Sequence, residues 1–421
     1  MKMREEESKK ILVISPVPTH PQNAGNRIFI FKRLKYLQKK GYLIHFVLDN
    51  RGPWSSYVKR AHFNAMKKEW DEFFLLKHPA SYFFLCFVVA RVASHIRRRS
   101  IFLHKLLKVF IPNGFPLFLF YRRNETANPH NVDWRYHEDL DSFLIGLHKK
   151  YHYDRVLVQY IFLSRALTVF DETVVKVLDT HDVFSFRNEK FAKWGLSDTD
   201  FSVTSEEETK ALNRAHVVLA IQQEEKYFFE SLTDRPVIEI GHVIENKKLP
   251  EKKEWSKYLL FVGSKNTSNI DGMNYFLKEI LPLIHRKIPD IKVLLVGQIS
   301  KHITHRSVKK IGEIESLDAV YSLADIVINP VRVGTGLKIK TVEALAYSKP
   351  FVGTPEAVSG LLSKDALGKP FLVAKTPEEF SHHVIHLYED RNLYDNLAHQ
   401  AYQFILEYNE RTKEAYRRVF P

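Results

Sequence analysis

The stretch from Ala324 to Thr354, ADIVINPVRVGTGLKIKTVEALAYSKPFVGT, carries the residues whose types and spacing best suit chemistry. Ile326 to Asn329 is a short apolar run that fits a buried parallel strand. Gly334, Thr335 and Gly336 follow, and such a loop lets the backbone approach a ligand closely. A helix is expected to start near Leu337, with Lys338 and Lys340 in its first turns. Lysines are unfavourable at a helix N-terminus, where the macrodipole is already positive. Two of them there make sense if an anion sits among them, with Lys338 facing it and Lys340 expected to point away from the site. Glu343 comes five residues after Lys338 and offers a carboxylate able to accept hydrogen bonds from sugar hydroxyls. Pro350 ends the helix, and Phe351 to Gly353 starts the next strand. Phosphate-binding chemistry and a hydroxyl-binding carboxylate thus share one strand-loop-helix unit.

Elements elsewhere must position that unit. Lys10 to Ser15 reads as a buried strand, followed by a proline-rich loop containing Gly25. Arg27 to Lys40 reads as a helix, with Ile30, Leu34 and Leu37 at helical spacing and Gly41 as its stop. Leu43 to Leu48 is the next strand, and this opening is the signature of a doubly wound sheet. Further strands are expected at Arg155 to Gln159, Val174 to Asp179, Val217 to Ile221 and Val237 to Ile240. His181 and Asp182 stand just past Asp179, at the strand end where open α/β sheets bind ligands. A polar segment from Gly241 to Trp255 reads as a linker. A second sheet then begins at Tyr258 to Gly263, with Lys265 in the polar loop after it. Strands at Ile291 to Val296 and Lys309 to Gly312 and helices at Pro377 to Glu389 and Arg391 to Arg417 complete the pattern.

Taken together, these segments resemble GT-B glycosyltransferases, specifically the retaining enzymes of glycosyltransferase family four. The resemblance implies two Rossmann-like domains facing across a cleft, with a C-terminal helix crossing back to the first domain. It places residues 1–244 in an acceptor domain, 245–406 in a nucleotide-sugar donor domain and 407–421 in the returning helix. It implies that Gly25 lies close to the donor phosphate, that Lys265 assists the diphosphate and that Glu343 holds the ribose hydroxyls. The first glutamate of the family's pair falls at Thr335 here, so the backbone of Gly334, Thr335, Gly336 and Leu337 is expected to do more for the donor. Lys338 is the leading candidate for neutralising the departing diphosphate. His181 matches the family's active-site histidine, expected to touch the transferred sugar. Asp182 would accept the acceptor's proton or orient His181. The resemblance implies no metal and no cofactor beyond the nucleotide sugar as co-substrate. It leaves open a nucleotide-sugar epimerase, an inverting transferase, or a non-catalytic partner of a transferase.

Composition bounds the partners. A chain of 421 residues with 45% hydrophobic content fits two globular domains. One cysteine, Cys86, rules out an intrachain disulfide and fits a reducing compartment. The start, MKMREEESKK, lacks the apolar core of a secretory leader. Tyr82 to Ala90 is far shorter than the ~18 apolar residues of a membrane span. The net charge of +14 fits phosphorylated substrates or an anionic membrane surface. No signature of specific nucleic-acid recognition stands out. Residues from about 57 to 125 read as a helical insertion of two or three helices. Within it, Arg97-Arg98-Arg99 and Arg122-Arg123 bracket a run rich in Phe and Leu, a pattern suited to a membrane interface or to packing on the N-terminal sheet and lining the acceptor pocket. The expectation is a cytoplasmic transferase, peripheral at the inner membrane face, acting on a glycan, lipid-linked or protein acceptor.

Overall fold

The computed structural model describes residues 9–22, 24–51, 58–77, 130–196, 201–241, 243–247, 254–334, 338–361 and 370–421. The expected apolar runs form strands because both of their faces are covered: Ile11, Leu12, Val13 and Ile14 are all fully buried. In the N-terminal half, β1 (Lys10–Ser15), α1 (Gly25–Lys39), β2 (Leu43–Asp49), α2 (Arg60–Glu69) and β3 (Glu72–Leu76) come first. They are followed by α3 (Asp139–Tyr151), β4 (Arg155–Gln159), a 3-10 turn (Ile161–Val169), β5 (Val175–Asp179), α4 (Arg187–Ala192) and α5 (Ser205–Leu212). β6 (Val217–Ala220), α6 (Gln223–Glu230) and β7 (Val237–Glu239) close the unit. Among the described residues these strands form one parallel sheet in the order β3-β2-β1-β4-β5-β6-β7.

The C-terminal half repeats the plan. It runs β8 (Tyr258–Val262), α7 (Thr267–Tyr275), a π-turn (Phe276–Ile280), α8 (Leu281–His285), β9 (Lys292–Val296), β10 (Val308–Gly312) and α9 (Asp318–Leu323). Then come β11 (Ile326–Asn329), α10 (Ile339–Ala346), β12 (Phe351–Gly353), α11 (Pro355–Val358), β13 (Leu372–Val373), α12 (Pro377–Glu389) and α13 (Arg391–Val419). The sheet order is β10-β9-β8-β11-β12-β13, again parallel. In each sheet the order reverses once, between β1 and β4 and between β8 and β11. Ligands of open α/β sheets bind at such points, beyond the carboxyl ends of the strands.

One expectation needs correction. The segment from about 57 to 125 was expected to be helical, but Glu72–Leu76 is a strand on the edge of the first sheet, paired with β2. Its sequence, EFFLL, is a short unbroken apolar run that periodicity alone cannot assign. Pairing to β2 and the stacking of Phe73 and Trp70 on Phe46 decide the matter. The basic and aromatic run from His95 to Arg123 lies outside the described residues.

α13 ties the halves together. Ala401, Phe404, Ile405 and Tyr408 pack into a core with Phe29, Ile221 and Ile244 and the second sheet. Further along, Ala415, Tyr416, Val419 and Phe420 belong to the first core. Asn409 bonds the linker on both sides, donating to Ile244 O at 2.8 Å and accepting from Ile244 N at 3.0 Å. Buried Arg33 of α1 clasps Asp179 at the end of β5, donates to Ile240 O at 2.7 Å and donates to Tyr416 OH at 3.2 Å. One guanidinium thereby joins α1, β5, the exit of β7 and the final helix.

Candidate active site

The second sheet's switch point gathers cations. α10 starts at Ile339 with Lys338 at its N-cap. Its first turn is fixed by Thr341, which donates to Ala357 O at 2.7 Å and accepts from Asn329 Nδ2 at 3.3 Å. Lys338 is 8% exposed and pairs with Glu356 at 2.9 Å. Half-buried Lys340 donates to Asn269 Oδ1 in the first turn of α7 and lies over the Phe261 ring at 4.7 Å. It has no carboxylate partner among the described residues. Burial, helped by neighbouring Lys338, pushes its ammonium down to about 7. α7 is capped by Asn266, whose side chain accepts from Asn269 N at 2.8 Å. Two helix N-termini and two lysines therefore meet in the crevice between β8 and β11, an arrangement that favours an anion.

Glu343 lies one turn deeper. Tyr321 OH donates to it at 3.5 Å, and Tyr321 stacks on Tyr347 at 4.0 Å. Burial raises its carboxyl above the ordinary value, opposed chiefly by Lys32 of α1 in the other half of the chain. Lys265 is exposed in the loop between β8 and α7. Gly334 sits against both Glu356 and Lys338, each 3.6 Å from where a Cβ would stand. Thr335, Gly336 and Leu337 lie outside the described residues.

The first sheet faces this crevice from across the cleft. Gly25 opens α1 directly against α10: a Cβ there would lie 3.0 Å from Ile339 Cδ1. Glycine is what lets the two helix starts approach so closely. Lys190 of α4 reaches Gly334 O and Glu356. Glu224 accepts from Ser359 Oγ at 2.6 Å. Gly360, at φ +78°, packs on Gln222, leaving no room for a side chain.

His181 stands at the end of β5 with φ +63°, a left-handed conformation that a non-glycine residue adopts at a cost. The surroundings hold it there. Its Nε2 lies 2.6 Å from Gln159 Oε1 and 3.5 Å from Asp179, its ring stacks on Tyr160 at 4.3 Å, and Phe29 meets it edge-on at 5.5 Å. Bonding to Gln159 Oε1 puts the proton on Nε2 and leaves Nδ1 with the lone pair. Tyr160 OH in turn accepts from Asn26 at 3.1 Å, linking the histidine to the start of α1. Asp182, next in sequence, is paired with Arg187. Buried Glu208 accepts from Phe184 N and Ser185 N at 3.0 and 2.9 Å and so shapes the loop that carries both residues.

Burial lowers the His181 pKa to about 4, with Asp179 opposing and Arg33 adding to the fall. Between about 4 and 6.5 the unfolded chain therefore binds more protons at this residue than the folded one. Its contribution to stability is complete above 6.5 and is lost as pH falls toward 4. The imidazole carbon resonances of His181 should accordingly hold their neutral positions throughout pH 5.5 to 8. Titration near 6.5 would contradict the placement.

Sequence reasoning missed several residues here. Gln159, Tyr160 and Asn26 fix His181, Lys32 faces Glu343, Lys190 holds Gly334 O, and Glu356 pairs with Lys338. Glu225 was missed as well. It is buried, and its acid form is favoured by burial and by Asp182, with Lys338 opposing. The strand-end position of Gln159 and Tyr160 was the one available signal.

Residues 256–390 match the family model described as glycosyl transferases group 1. They form a glycosyltransferase domain. The fold as a whole is similar to TarM, with a TM-score of 0.64 and 11% identity over 99% of this chain and 100% of that one. It is similar to sucrose-phosphate synthase of Thermosynechococcus elongatus, with a TM-score of 0.61 and 13% identity over 98% and 99%. HepE of Anabaena, solved with UDP and glucose, gives a TM-score of 0.58 and 14% identity over 96% and 98%. The architecture is therefore GT-B. In sequence, the chain is 26% identical over 176 residues to an uncharacterized protein of the cps region of Klebsiella pneumoniae, a match spanning 38% of this chain and 45% of that relative. Among the described residues no helix is long and apolar enough to cross a membrane, and no three histidine, cysteine or acidic side chains are grouped to hold a metal ion.

Proposed function

We propose that this chain moves a sugar from a nucleotide-diphosphate donor to a glycan, lipid-linked or protein acceptor, with retention at the anomeric carbon, as in glycosyltransferase family four. The observation that carries the reading is the pair Lys338 and Lys340 at the meeting of two helix N-termini. Lys340, lacking a carboxylate partner among the described residues, is the cation a diphosphate would satisfy. Glu343, half-buried beside Tyr321, would accept the ribose hydroxyls. The lysines supply the positive charge that the leaving diphosphate needs, so transfer should proceed in EDTA. Asp182 is engaged by Arg187, and the neutral His181 is a weak base. Retention fits these facts. The acceptor oxygen bonds to the anomeric carbon on the face the phosphate leaves, and its proton passes to a phosphate oxygen.

A thermal-shift screen against UDP, GDP, ADP and their sugars tests the donor reading. One base series should raise the melting temperature by mass action. Glu343→Ala should weaken that shift, whereas Lys338→Ala should cut turnover more than it weakens binding. No shift from any of the three series would refute the assignment. Product stereochemistry by proton NMR decides retention.

The acceptor is read as a bacterial glycan or its lipid carrier on the strength of the cps-region relative. The arginine clusters at 97–99 and 122–123 would then bring a cytoplasmic enzyme to the inner membrane face. Each cation near an anionic surface contributes roughly 1 kcal/mol. The chain should co-sediment with anionic vesicles, less so at high salt, and lose this when the five arginines become glutamine. Equal recovery with neutral vesicles would remove the membrane from the account.

A further inference from the structure

We propose that Glu356 is the carboxylate that reads the hydroxyls of the donor sugar, held in position by Lys338 from its own domain and by Lys190 reaching across the cleft. This rests on the nucleotide-sugar reading above and names a residue that it does not require. The carboxylate is placed with care. Lys338 Nζ lies 2.9 Å from Oε1, and Lys190 Nζ lies 3.2 Å from Oε2. Lys190 also donates to Gly334 O, so the same ammonium holds the backbone of Gly334. Thr354 locks the short helix α11 that carries Glu356: its hydroxyl donates to Val331 O and accepts from Ala357 N at 3.2 Å. Thr341 of α10 holds Ala357 O at 2.7 Å. The Glu356 side chain keeps 15% of its surface open.

An anion so close to a phosphate-binding lysine is unfavourable for diphosphate binding unless something else needs it. Lys338 stands one ion pair away from Glu356. The group covalently attached to the outer phosphate of a nucleotide sugar is the sugar, whose hydroxyls are donors in search of acceptors. A carboxylate offers two oxygens with room for several such bonds. Thr335, three residues before Lys338 in the sequence, carries no negative charge, so Glu356 is the carboxylate beside Gly334 among the described residues. Because Lys190 belongs to the first domain, the carboxylate is fully oriented only when the two domains meet. The competing account makes Glu356 a simple counter-ion for two lysines.

Titration calorimetry separates the two. The probes are UDP against UDP-glucose, GDP against GDP-mannose and ADP against ADP-glucose, each with the full chain and with Glu356→Gln. For the base that the unaltered chain binds, Glu356→Gln should bind the nucleoside diphosphate as tightly or more tightly, having lost a negative charge. It should bind the sugar nucleotide about tenfold or more weakly, having lost charge-assisted bonds to hydroxyls. Glu356→Ala should split the two ligands in the same way, and an unchanged melting temperature controls for folding. Lys190→Met should lose part of the sugar's share and leave the diphosphate alone. If diphosphate and sugar nucleotide shift together, in either direction, Glu356 is a counter-ion and the proposal fails. An unaltered chain that binds none of the three pairs overturns the nucleotide-sugar reading, and this proposal with it.

Discussion

Lys340→Met should lower turnover by two to three orders of magnitude while leaving the protein as stable as before or more so. Preorganised cations at a site of developing charge are worth about 10²- to 10³-fold in rate each. Lys340 is held by one neutral acceptor, Asn269 Oδ1, and by the face of Phe261. Its crowded ammonium is pushed down to about 7, which records how poorly the unliganded protein compensates it. Methionine has a similar shape without the charge, so the substitution removes a desolvated cation and its repulsion from Lys338. The opposed signs are diagnostic. A lysine that served only the fold would lose stability on substitution and keep nucleotide affinity. Nucleotide titration and a melting curve on the same sample distinguish the cases.

Arg33→Met should be among the most damaging changes to stability. Breaking a buried ion pair by removing one partner costs about 3–5 kcal/mol, since the other charge is stranded. Asp179 would be stranded in this way, and Ile240 O and Tyr416 OH would lose their donor. Tyr416 and Ile240 lie on the returning helix and just before the linker, so the loss should also loosen the coupling of the two halves. With two domains, unfolding need not be two-state. The check is therefore the order of events: protease should cut α13 or the linker in Arg33→Met before the unaltered chain is touched. Identical cleavage patterns and melting curves would show that the clasp contributes little. In Arg33→Met, His181 should also titrate higher, since Arg33 adds to the depression of its pKa.

What the sequence made legible follows from the range of the signals. β1, β4, β11 and β12 stand where runs such as KILVIS and RVLVQ place them, because a strand buried on both faces leaves an unbroken apolar word. Lys338 was legible because a glycine loop, a lysine and a helix start are neighbours in the chain. Arg33 and Asp179 are 146 residues apart, and no local pattern reports that they meet. Lys190 sits on an exposed helix of the other domain, and its partner Glu356 looks like an ordinary first-turn acid. Their meeting depends on how the two domains face each other, which is set by α13 and the linker. The strand Glu72–Leu76 was hidden for the opposite reason: its apolar run is too short to separate strand from helix without its neighbour β2.

The central claim is that the crevice between β8 and β11 binds a nucleotide sugar and activates it. The most direct test is donor hydrolysis, with release of free sugar followed across UDP-, GDP- and ADP-sugars with the full chain and with Lys338→Ala. The account predicts slow release from one base series, insensitive to EDTA and strongly reduced by Lys338→Ala. Tight nucleotide binding with no release from any donor, or release that Lys338→Ala leaves unchanged, would contradict it.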